Sequence, residues 1–255
     1  MIVFYLENLF LAFVQGVSEF IPVSSSAHLL IISKLYNFNS SSLEIDVSLH
    51  LGSLIAIIFY FRKDLINIFN NKNLLFLIIF GSLPIIIVGF LLYNTGLIDY
   101  LRNIKLIAWT TLIFGIILYV SDQFKTNKKL DNDLNFKNIL LIGLFQVIAL
   151  IPGVSRSGIT ITAGRFLNFN RFDATKISFY LSIPALAGAS FLGLNNIFEK
   201  NLEFNLVLIF STVFSFIFSY LTIKYFLIYI QKFSLKLFVY YRIILAGILL
   251  IILYS

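Results

Sequence analysis

Four stretches of this chain, Leu74 to Leu92, Ile104 to Val120, Leu206 to Ile230 and Leu237 to Tyr254, are apolar on every face. Each is long enough to cross a hydrocarbon core, which takes roughly 20 residues as helix. No other feature restricts the fold as much, because backbone N–H and C=O groups in lipid must be paired within a helix or in a closed barrel. Barrel strands alternate apolar and polar positions over roughly 10 residues, and these runs do not alternate. The chain therefore reads as an all-α polytopic membrane protein. Its balance of 59% apolar and 12% charged residues, with a mean hydropathy of +0.94, lies outside the range of soluble domains.

The net charge of +7 does not point to nucleic acid, because the basic residues sit in short loops between apolar runs, where topology accounts for them. With no cysteine, disulfides, thiolate metal sites and cysteine nucleophiles are excluded. The opening stretch carries Glu7 and Glu19 and has no lysine before Lys34. It lacks the basic start of a signal peptide and is expected to stay in the mature chain.

Two shorter apolar stretches are interrupted in the same way. Gln15 is followed by Pro22 and the serines Ser24, Ser25 and Ser26; Gln146 is followed by Pro152, Ser155 and Ser157. After each come a loop acid (Asp46, Asp173) and a run containing Gly52 or Pro184. The arms beside each proline, about 14 residues, fall short of the roughly 20 that a span needs. Each pair is expected to be a re-entrant hairpin of two half-helices, with proline in the first turn of the second. Irregular backbone at membrane depth must be buried in protein or face a cavity, so the prolines mark an interior site.

The assignment is hairpin one at 8–35, spans at 47–61, 74–93 and 104–121, hairpin two at 138–168, and spans at 177–195, 205–230 and 237–254. Three spans between the hairpins invert the second half, so the single membrane domain 1–255 divides into inverted repeats at 1–121 and 138–255. Loop charges then orient it. One face collects 13 basic residues, from Arg62 and Lys63 through Lys125, Arg165 and Arg171 to Lys236 and Arg242; the other collects Lys34, Arg102, Lys105 and Lys200. The richer face is expected to be cytoplasmic, with both termini outside.

Glu19 lies four residues after Gln15, on the same helical face and deep in an apolar segment. A carboxylate there is disfavoured by on the order of 3 kcal/mol unless a cavity or partner receives it. It is either a buried acid satisfied by neighbouring hydroxyls or a base, metal ligand or nucleophile. Ser24 reads as a helix cap. Ser25 lies three residues before His28, so nucleophile and base could share a face, although this spacing also arises by chance. His50 reads as a packed or hydrogen-bonded helix residue.

The segment Pro152 to Thr160 gathers Gly153, Gly158, three hydroxyls and Arg156 at a helix start. Free N–H groups, a positive dipole end and a planar guanidinium suit a phosphate; the alternative is an Arg156 paired structurally with an acid such as Glu19. Ser24, Ser26, Gly153, Ser155, Ser157 and Thr160 are the candidate substrate-binding positions. A diphosphate on a hydrocarbon tail would suit such a buried site.

The stretches Gln15-x-x-x-Glu19 with Pro22-Val-Ser-Ser-Ser-Ala-His28, and Pro152-Gly-Val-Ser-Arg-Ser-Gly-Ile-Thr160, resemble the two signature motifs of the undecaprenyl pyrophosphate phosphatases associated with bacitracin resistance. The resemblance covers essentially the whole chain. It implies hydrolysis of undecaprenyl pyrophosphate to undecaprenyl phosphate in the bacterial inner membrane, with the site open to the extracytoplasmic side. It also implies that Glu19, Ser25, His28 and Arg156 are catalytic, and that magnesium or calcium sits at Glu19 and Gln15. Gln15 stands where many members have Glu, and Ala27 where Gly is common, which weakens the case for metal. A transporter or flippase of polyprenyl phosphate lipid, a non-catalytic lipid-binding scaffold and a homodimer stay open.

Overall fold

The structure is a computed structural model and describes residues 2–36, 43–199 and 206–254. Within these its regular secondary structure is helical, apart from one isolated bridge between Lys128 and Phe169. The first interrupted stretch forms α1 (Ile2–Ser18) and α2 (Ser25–Tyr36), separated by a turn. Next comes α3 (Leu43–Tyr60), which bends by 70° at Phe61 into α4 (Arg62–Asn70). Beyond it lie α5 (Lys72–Asn94), the single turn α6 (Leu97–Tyr100), α7 (Ile104–Asp122) and the single turn α8 (Leu130–Asp133). The second interrupted stretch forms α9 (Phe136–Val147), a 3-10 turn at Ile148–Leu150 and α10 (Arg156–Phe166). Three long helices complete the chain, α11 (Arg171–Glu199), α12 (Leu206–Lys232) and α13 (Lys236–Tyr254).

Helices α5, α7, α11, α12 and α13 are long and apolar enough to cross a membrane, and α3 with α4 adds a sixth span if the bent pair is one. The starts follow local chemistry. Asn71, Asn103 and Asn135 each accept a backbone N–H of the helix they precede, from Leu74, Lys105 and Asn138, satisfying donors that a helix start leaves unpaired.

Hydrophobic burial cannot hold helices together in lipid, so close approach and polar contacts do so. Ser211, Ser215 and Ser219 form a buried stripe on α12. Ser215 donates to Leu49 O at 2.6 Å and Ser219 meets Ser53 at 2.9 Å, both on α3. A Cβ at Gly52 would stand 2.4 Å from Thr212 O, so only glycine lets α3 sit this close to α12. Likewise α9 packs on α5, and α1 on α12.

Five expectations are corrected. Residues 62–70 are α4 rather than a loop: Ile68 is buried while Ile66 and Phe69 are exposed, as in a helix lying across the ends of the spans. The first arm begins at Ile2, not residue 8, and α11 begins at Arg171, not residue 177. Neither proline occupies a first helical turn, since α2 starts at Ser25 and α10 at Arg156, with Pro22 and Pro152 in the turns before them. Arg165 and Arg242, counted as loop charges, are fully buried. Arg165 lies in α10, its guanidinium 3.6 Å from Asp122 and donating to the carbonyls of Phe169 and Phe124. Lys200, counted on the other face, lies outside the described residues.

Candidate active site

The first break runs from Glu19 to Ser24. Glu19 is buried, and both of its oxygens are engaged. Oε2 accepts the Ser25 hydroxyl at 2.5 Å and the Gln15 amide at 3.1 Å, while Oε1 accepts a guanidinium N–H of Arg156 at 3.0 Å. The spacing of four between Gln15 and Glu19 places them on one face. Ser25 opens α2, so its hydroxyl reaches back across the turn to the acid just beyond the end of α1.

The sequence suggests His28 as the partner of Ser25, but the hydroxyl of Ser25 meets Glu19 instead. His28 Nδ1 bonds to Ser24 O at 2.6 Å and Nε2 to the Tyr241 hydroxyl at 2.5 Å, with the two rings stacked. Tyr241 was not anticipated. The available signal was three polar-capable residues, Tyr240, Tyr241 and Arg242, inside an apolar run.

The second break runs from Ile151 to Ser155. Ser155 caps α10, accepting Gly158 N–H at 3.1 Å. Arg156 follows it, mostly buried, and pairs with Glu19 across the two breaks. Its Nε has no hydrogen-bond partner, and neither has Gln15 Oε1. Thr160 is fully buried and bonds Ser178 of α11 at 2.6 Å, tying α10 to α11. The Gly153 N–H is also used internally, donating to Ser24 Oγ at 3.3 Å. Gly153 has φ +91°, and a Cβ there would come within 2.1 Å of Thr110 Oγ1, so both conformation and space require glycine.

The breaks touch directly. Besides the Gly153 to Ser24 bond, Ser157 donates to Ile21 O at 2.8 Å. Ser24 and Ser155 occupy equivalent places, each nine residues after a buried glutamine, Gln15 or Gln146. Both have left-handed backbone, φ +77° and +73°, which is disfavoured for a residue with a Cβ by on the order of 1 kcal/mol and persists only where surroundings enforce it. Near the middle of α7, Thr110 donates to Pro152 O at 2.7 Å. From α13, Arg242 donates to carbonyls of both breaks.

Ser25 and His28 are half-buried and Ser26 and Tyr241 are exposed, whereas Glu19 is buried and Arg156 mostly so. Clefts of about 450 and 670 Å³ lie elsewhere, beside Arg62, Lys63 and Lys176 and beside Lys125, Lys129 and Arg171. Among the described residues no three His, Cys, Asp or Glu side chains converge as a metal cage.

A helical membrane protein in which two broken helices bring an acid, a hydroxyl and a guanidinium together is the class defined so far. The family model described as bacitracin resistance protein BacA matches residues 8–248, and the chain belongs to that family. Similar proteins include an undecaprenyl-diphosphatase from Pelagibacter ubique, 59% identical over 98% of both chains. Another, from Saccharophagus degradans, is 38% identical over 95% of this chain and 96% of its own. An undecaprenyl-diphosphatase 4 from Bacillus thuringiensis is 34% identical over 93% of each.

Proposed function

We propose that this chain hydrolyses undecaprenyl diphosphate to undecaprenyl phosphate and inorganic phosphate, returning the lipid carrier to cell-wall synthesis and so conferring resistance to bacitracin. The observation that carries the reading is the chain of contacts from Ser25 Oγ through the Glu19 carboxylate to Arg156. It joins a hydroxyl, a carboxylate and a guanidinium across the two breaks, groups suited to act as nucleophile, base and phosphate-binding cation, and relatives across the whole length bear the name of that activity.

In this mechanism the Arg156 guanidinium and the first-turn amides of α2 and α10 hold the diphosphate, as helix starts and planar guanidinium groups do. Ser25 Oγ attacks the terminal phosphorus and its proton passes to Glu19 Oε2. The bond between that phosphorus and the bridging oxygen breaks, and undecaprenyl phosphate leaves. Glu19 gives the captured proton up to solvent; water then attacks the phosphoserine, its proton passing through the freed carboxylate to Ser25 Oγ as the bond from Oγ to phosphorus breaks and inorganic phosphate leaves. Fixed donors aimed at the phosphoryl oxygens lower the barrier. His28, held by Tyr241 and Ser24 O, is placed to support the α2 side of the site.

Gln15 Oε1 is a buried oxygen without a partner beside Glu19. Together they suit a hard cation such as magnesium, which typically takes one or two carboxylates and completes its shell with water and substrate phosphate. Glu19 and Gln15 would hold it, and bound magnesium or calcium would neutralise phosphate charge.

The reading extends to two inverted repeats, 1–121 and 138–255, supported by the matched breaks and by the way α1 packs on α12 while α9 packs on α5. It places the protein in the bacterial inner membrane with the basic segments around Arg62, Lys125 and Lys232 cytoplasmic and the site open to the other side. A homodimer is compatible with it and is checked by mass measurement in detergent. The deciding experiment is phosphate release from undecaprenyl diphosphate by purified protein in detergent, where transport has no meaning. Steady release of one phosphate per lipid is expected; binding of the lipid without release would overturn the hydrolase reading.

A further inference from the structure

Arg242 is a fully buried arginine for which the described residues supply no carboxylate partner. Its guanidinium spends four bonds on main-chain carbonyls from three separate segments. Nε donates to Thr111 O of α7 at 3.2 Å, Nη1 to Pro22 O at 3.2 Å and Val154 O at 3.0 Å, and Nη2 to Gly153 O at 2.8 Å. One planar group therefore holds the first break, the second break and α7 at once. The surroundings are cut to fit it. A Cβ at Gly115 would stand 3.1 Å from Arg242 Cβ, and one at Gly158 would stand 3.2 Å from Nη1. A cation in a span is disfavoured unless it has such work.

A trans peptide sets its N–H opposite its C=O. Drawing the Val154 carbonyl onto Arg242 therefore turns the Ser155 N–H away from it, and the Pro22 carbonyl is fixed three residues before Ser25. We propose that Arg242 is a positioning residue for the phosphoryl transfer: it sets the backbone of both breaks, and through them the relative placement of Ser25 and Arg156. The proposal rests on the hydrolase reading above. Lysine keeps the charge but is a point donor on a flexible stem and cannot reproduce the planar fork.

The test combines two readouts on Arg242→Lys in detergent. Hydrogen exchange should rise in peptides covering both breaks, 19–26 and 151–158, and stay unchanged in α12. With undecaprenyl diphosphate, kcat should fall about 100-fold, as misplacement of reacting groups by roughly 1 Å produces, while KM changes little. Gly115→Ala, which crowds the guanidinium without removing it, should give the same pattern more weakly; Gly247→Ala, whose methyl meets nothing within 4 Å, should behave as the natural protein. Exchange that rises in one break only, in neither, or equally throughout α12 would overturn the proposal, as would unchanged kcat. If the natural protein releases no phosphate, the hydrolase reading fails, and the exchange pattern still decides whether Arg242 joins the breaks.

Discussion

At the scale of single residues, the decisive pair is Ser25 and Glu19, joined at 2.5 Å. If the serine attacks, Ser25→Ala should abolish turnover while lipid binding, which rests on Arg156 and α10, persists. A phosphoserine should then be trappable at Ser25 by rapid acid quench and mass spectrometry. If water attacks, Ser25→Ala keeps measurable turnover and Glu19→Gln alone stops the reaction, so rates of the two variants decide between the routes. The pairing of Arg156 with Glu19 does not remove Arg156 from substrate binding, because a buried ion pair adds little net stability and one of the guanidinium nitrogens, Nε, is unpartnered. Gln15→Glu should deepen the dependence on magnesium, measured as the activity lost on chelation relative to the natural protein. Equal losses in both would take Gln15 out of any cation site.

At the scale of elements, the breaks themselves are testable. Gly153→Ala combines a left-handed φ with a contact of 2.1 Å to Thr110 Oγ1, so it should lower stability by at least about 2 kcal/mol, read as an earlier unfolding midpoint in detergent. An unchanged midpoint would mean that the second break is not held by α7. The breaks and the spans were legible in the sequence because proline, serine clusters and uninterrupted apolar length leave few alternatives in lipid. The helix α4 was not, because a charged nine-residue segment between spans reads as a loop until Ile68 is seen buried beneath it. Glu19, Ser25 and Arg156 could be singled out one by one, yet the partner of Ser25 could not. Local spacing favours His28, whereas Glu19 meets Ser25 only because the chain reverses at Pro22. Arg242 was misread for a similar reason: six residues into α13 it looks like an edge charge, and only the folded breaks supply the carbonyls that hold it.

At the scale of the molecule, the proposed topology gathers the basic segments on one face. In this chain without cysteine, Asn127→Cys, exposed between α7 and α8, should react with an impermeant maleimide only from the cytoplasm, and Asn94→Cys, exposed at the end of α5, only from outside. Labelling of both from one side would contradict an odd number of crossings between the hairpins. Burying Arg165 and Arg242 does not remove the basis of the proposed orientation, since Arg62, Lys63, Lys125, Lys129 and Lys232 are exposed.

The double engagement of Glu19 also bears on timing. One oxygen holds the serine proton and the other holds the guanidinium of Arg156. If the serine attacks as proposed, the carboxylate loses its charge on accepting that proton, and its grip on Arg156 weakens in the same instant. That instant is when negative charge gathers on the phosphoryl oxygens. On the proposed serine route the cation would thus be handed from acid to phosphate by the proton transfer itself, and the return of the proton to solvent would reset the latch for the next lipid.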